Sequence, residues 1–156
     1  MSMELYIFSD RPIQSMAEWQ AAIYADGFDA KLYEPAVFGE LDGFLPVRLD
    51  GAGTGFEVYH HDGAASLIAE LAAEGWDVGR PWTHVLSLSW GGDYRELIAA
   101  YSTAASYARA TEGVVFDCEE AKVFEPATVL EMARKLAVDL KDELGPPRYE
   151  WQDVQQ

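Results

Sequence analysis

A chain of 156 residues with 49% hydrophobic and 13% aromatic content is long and apolar enough to fold around one sizeable core. Its 27 acidic against 11 basic residues leave a net charge of −16. That balance argues against nucleic acid or an anionic membrane as partner, because both require a basic face. The single cysteine, Cys118, excludes an intrachain disulfide and fits a reducing compartment. With no secretory leader pattern and no apolar run of membrane-spanning length, the expected location is the cytoplasm.

In chain order, Met3–Ser9 is apolar on both faces and predicts a central strand. Ser15 with Glu18 reads as a capping box, and Met16, Trp19, Ala22 and Ile23 form the stripe of a helix stopping at Gly27. Phe28, Ala30 and Leu32 alternate with Asp29, Lys31 and Tyr33, as in a strand with one wet face. A loop follows over 35–43, where Glu34, Glu40 and Asp42 stand beside Phe38, Leu41 and Phe44. Residues 45–49 and 56–60 read as a hairpin around a glycine-rich loop at 50–55.

The stretch 64–73 predicts a helix with Leu67, Ile68 and Leu71 inward, closed by Gly75. A connector carrying Trp76 and Trp82 leads to His84–Trp90, where Val85, Ser87 and Ser89 alternate with Leu86, Leu88 and Trp90 as a half-buried strand. Gly91-Gly92 breaks it, and Asp93 with Glu96 caps a long helix whose buried face is Leu97, Ile98, Tyr101, Ala104, Ala105 and Ala108. Gly113 is placed at the left-handed stop of that helix, followed by strands at 114–116 and 122–124. Pro126 opens a last helix with a stripe of Val129, Ala133, Leu136, Ala137, Leu140 and Leu144, which Gly145-Pro146-Pro147 ends. The order predicts one α+β domain over 1–147, with α/β as second choice. Two layers are expected, with about four helices, mainly on one face of a mixed sheet of about five to seven strands. Residues 148–156 read as a polar tail in which Trp151 offers an anchor to the body.

No stretch carries a recognisable reaction. The loop at 50–55 lacks the lysine of a phosphate-binding loop and runs into a strand. His60, His61, Asp62 and His84, with Cys118, Glu119 or Glu120 as a distant fourth ligand, form the one candidate metal set. Adjacent strand residues face opposite sides, and neither a His-Glu-x-x-His helix nor a cysteine pair is present. Asp117, Glu119 and Glu120 around Cys118 oppose thiolate formation. No Gly-x-Ser-x-Gly elbow occurs. Neither catalytic residues, nor a cofactor, nor a metal is therefore expected.

The charge is unevenly spread. Residues 1–79 hold Arg11, Lys31 and Arg48 against fourteen acids, a net −11, and 49–79 has no lysine or arginine at all. Carboxylates beside aromatics and glycine-rich loops are the composition of a protein-binding surface for a basic partner. The Trp90-Gly91-Gly92-Asp93 turn, the alanine-rich helix after it and the Gly113-Val114-Val115-Phe116-Asp117 return resemble small acidic bacterial immunity proteins of polymorphic toxin systems. The resemblance covers most of residues 3–140 and carries no binding residue across. It implies an antitoxin-like protein that occludes the active site of a cognate basic toxin domain. Charge and aromatic content nominate Tyr33, Glu34, Phe38, Glu40, Asp42, Asp50, Asp62, Trp76 and Asp77 as the partner-binding residues. A second reading is a small enzyme or ligand- or metal-binding domain with a pocket near His60, His84 and Asp117–Glu120, and a third is a homo-oligomer joined by its tryptophans.

Overall fold

In the computed structural model, which describes residues 2–151, the sequence forms seven strands and four helices. The strands are β1 (Met3–Ser9), β2 (Ala30–Leu32), β3 (Asp42–Leu49), β4 (Ala52–His60), β5 (His84–Trp90), β6 (Val114–Asp117) and β7 (Lys122–Phe124). The helices are α1 (Met16–Ala25), α2 (Ala65–Ala73), α3 (Tyr94–Thr111) and α4 (Pro126–Asp139). One sheet contains every strand in the order β2-β3-β4-β5-β1-β6-β7. All its pairings are antiparallel, so the α+β class holds and the expected mixed sheet is corrected to a wholly antiparallel one. β5 and β6 both pair with β1, so β5-α3-β6 is a crossover split by the first strand of the chain.

Side-chain alternation divides the sheet into two faces. Leu5, Ile7, Leu86, Leu88 and Val115 pack with α1, α3 and α4 in the larger core. Phe8, Val85, Val114 and Phe116 face the other way, where Ala64, Leu71, Val78 and Trp82 cover them. β5 is therefore buried on both sides and not half-wet: Ser87 is only 1% exposed. Its hydroxyl is satisfied there by the His61 ring at 3.2 Å and the Tyr59 carbonyl at 3.4 Å.

Local chemistry explains the boundaries. Ser15 accepts the Glu18 N–H at 3.1 Å, while the Glu18 carboxylate turns back to the Gln14 N–H at 2.7 Å. Asp93 accepts the N–H groups of Arg95 and Glu96 at the start of α3. The β3–β4 hairpin is tighter than the sequence expectation. Asp50 (φ 49°) and Gly51 (φ 86°) alone make the turn, and 52–55 already belongs to β4. Two successive left-handed residues match the right-handed twist of the flanking strands, and Asp-Gly supplies them at low cost.

The stop of α3 also differs. Glu112, at φ 56°, is the left-handed residue, and Gly113 serves a steric purpose. A Cβ on Gly113 would overlap the Phe8 carbonyl oxygen, so β6 can reach β1 only with glycine at this point.

Candidate functional site

The second face of the sheet, the one α2 leaves partly open, holds the most site-like feature. α2 and its flanks are built from small and apolar residues almost all round, so covering the sheet uses only part of its surface. Leu71 and Ala64 go inward; Ala65, Ala69, Ala72 and Glu70 remain exposed. Between α2 and the connector 76–83 run two adjoining shallow cavities of about 400 and 520 Å³, which share Ile68, Ala72 and Pro81. Asp77 borders one of them and Asp62 the other. Trp76 forms a wall of the first, its ring 5.6 Å from that of Phe116 beneath.

The connector is held rigidly. The Trp82 indole donates to the Val78 carbonyl at 2.9 Å, and Asp77 caps the turn by accepting the Gly79 N–H at 2.8 Å. Arg80 stacks over Trp82 at 4.6 Å and pairs with Asp10, which offsets its charge. Asp62, Glu70, Glu74 and Asp77 have no cationic partner among the described residues. The result is an apolar groove with an uncompensated acidic border.

The nine nominated residues do not form one surface. Asp62, Trp76 and Asp77 meet at this groove. Glu34, Glu40 and Asp42 are exposed around the start of β3, with Tyr33 half-buried beside them, and none of the four lines the groove. Asp50 sits at the hairpin tip, one residue past the end of β3 and eight from Asp42, and so about 26 Å away. There it faces Asp29, and burial together with that carboxylate raises its pKa. Phe38 is a correction. It is 7% exposed, edge-on to Trp19 at 5.9 Å and to His60 at 5.0 Å, so it is core and offers no anchor to a partner.

The histidine–carboxylate pocket is not assembled either. His60 turns to the Phe38 carbonyl at 2.8 Å, while His61, on the other face, meets Ser87. His84 pairs with Ser9 at one end of β1, and Asp117 pairs with Leu5 nearer the other, about 13 Å along the strand. Asp117 is buried and accepts the Tyr101 hydroxyl and the N–H groups of Glu119 and Glu120, which makes it the organiser of the β6–β7 turn. Burial and the Glu4 carboxylate push the Cys118 thiol up to about 12. Among the described residues no three His, Cys, Asp or Glu side chains gather as a metal site would need.

The groove itself has no local sequence signature. Its lining comes from two nearly adjoining segments, 62–72 and 75–83, and the signal that points to it is the absence of basic residues over 49–79. In the polar tail Trp151 is buried, in line with its expected role as an anchor, and Arg148 and Tyr149 dock on the body as well. No helix among the described residues is long and apolar enough to cross a membrane. No family model, curated protein or solved structure matches the chain.

Proposed function

We propose that this chain is an immunity-type protein that binds a basic toxin or effector domain and occludes its active site. The observation that carries the reading is the groove along α2: apolar in its floor, bordered by Asp62 and Asp77, with Glu70 on the helix and Glu74 at its C-cap. Long-range attraction from a body of net charge −16 steers a cationic surface toward it. The apolar floor, with Trp76 and Ile68, then supplies the burial that slows dissociation.

The reading is tested in cells. Basic toxin or effector domains, beginning with any encoded in an adjacent reading frame, are expressed with and without this chain, and growth is followed. Wild-type protein restores growth, and a folded D62K/D77K double variant does not. Full protection by the double variant would move binding away from the groove, and an absence of any protection by wild-type protein would remove the immunity reading.

A further inference from the structure

Ala65, Ile68, Ala69 and Ala72 line the groove from the α2 side. Their i, i+3, i+4, i+7 spacing makes one straight stripe on the helix surface. Seven residues of rise make that stripe about 10 Å long. Three of its four side chains are single methyl groups, so a second helix could approach to the short end of the usual range of about 8–10 Å between axes. Pro81 and Trp82 of the connector stand across the groove. An extended segment laid here would find few backbone partners. The N–H groups of Gly79 and Trp82 and the carbonyls of Val78 and Arg80 are already bonded, and Pro81 has no N–H. The edge strands of the sheet, β2 and β7, contribute nothing to the lining, so strand addition has no ladder to extend. A helix satisfies its own backbone and needs only side-chain contact.

We infer that the groove takes an amphipathic helix of the partner, apolar along the stripe that meets α2 and basic on its flanks. This occupant presupposes the cationic partner proposed above and specifies its form. Its apolar stripe would cover Ile68, Ala69 and Ala72, while lysine or arginine on the flanks would reach Asp62 beside one cavity and Asp77 beside the other. Both carboxylates are exposed, so pairing costs little desolvation and acts mainly on encounter and register. A second copy of this chain fits poorly on charge. Its α2 carries Glu70 and no lysine or arginine, and its acidic border would meet this one.

The test uses the full chain and a capped synthetic peptide of about 15 residues, with leucines at helical spacing and lysines on both flanks. The peptide is titrated into ¹⁵N-labelled protein, and circular dichroism follows its helix content on binding. Saturable shifts confined to residues 62–83, with a gain in helix, are expected. A central proline in the peptide, glutamate in place of its lysines, or Ala72→Trp in the protein should each raise the Kd about tenfold or more. Ala72→Ser should leave it unchanged. Shifts centred outside 62–83, equal binding of the proline peptide, indifference to Ala72→Trp, or self-association through this face would each overturn the helical occupant. Should Ala72→Trp not fold, Ala69→Trp carries the same comparison, since Ala69 is also exposed and lines the groove. Protection in cells that D62K/D77K abolishes, with a peptide that fails, would keep the immunity reading and remove the helix. A peptide that binds as expected, with no protection in cells, would do the reverse.

Discussion

A Cβ placed on Gly53 would lie 2.6 Å from the ring of Tyr149, so the trough in β4 and the aromatic that fills it specify one another. Phe44 flanks the same ring at 6.4 Å, edge to face. Gly53→Ala is predicted to cost about 1–3 kcal/mol, because the extra methyl must displace the ring or the strand. Tyr149→Ala removes the ring from that contact and leaves only the backbone oxygen of residue 149, at 2.7 Å from the same Cβ. Urea denaturation of the double variant should therefore show a loss smaller than the sum of the two single losses. Additive losses would show that the two residues do not meet.

At the end of α3 two adjacent residues should respond in opposite directions. Glu112 holds a left-handed backbone that glycine adopts without strain, so Glu112→Gly should stabilise by up to about 1 kcal/mol. Gly113→Ala would drive a methyl into the Phe8 carbonyl and should be among the most damaging single changes, about 3 kcal/mol or more. Thermal unfolding of the two variants checks both signs at once.

Tyr101→Phe isolates the buried carboxylate of Asp117. Without the hydroxyl, Asp117 keeps only the N–H groups of Glu119 and Glu120, at 2.9 and 3.3 Å. A loss of about 1–3 kcal/mol in unfolding free energy is expected, with the β6–β7 turn the first region to exchange its amide protons. An unchanged stability would mean that the turn alone satisfies the carboxylate.

Alkaline pH should unfold the protein through groups that burial keeps protonated. The Cys118 thiol is raised from 9.0 to about 12, and the Tyr149 hydroxyl from 10.0 to about 12. The folded state therefore holds protons that the unfolded state has released, and stability falls as pH rises through this window. Stability measured from pH 8 upward should decline beginning near pH 9, and Cys118→Ala should flatten the first part of that decline. The thiol should also react with iodoacetamide at pH 8 much more slowly than a free cysteine does.

Helices were the most legible elements, since capping residues and apolar stripes mark α1, α3 and α4 within a few positions. Hairpin geometry was less so. Asp50-Gly51 is a strong two-residue turn signal, but the glycines at 53 and 55 extend the apparent loop into what is strand. Gly53 is there for Tyr149, a partner nearly a hundred residues away that no local pattern reveals, and Gly55 makes room for the Leu45 carbonyl and the Phe44 ring of the facing strand. A separation of 52 residues likewise hides the Glu96–Arg148 pair. Phe38 was misplaced because its neighbours are acidic, although a short turn of 3₁₀ helix tucks it against Trp19. Of the nominated surface, Asp62, Trp76 and Asp77 converge because α2 folds over the second sheet face, a fact of topology and not of composition.

The central claim, that an acidic apolar groove captures a basic partner, is tested most directly by association kinetics. The rate constant for a basic toxin domain that this chain neutralises in the growth assay is measured by stopped flow at low and high salt, with wild type and D62K/D77K. A steered encounter predicts a fall of about tenfold or more as salt rises from about 0.05 to 0.5 M, and a slower, less salt-sensitive rate for the double variant. A rate indifferent to both salt and charge reversal would contradict the account.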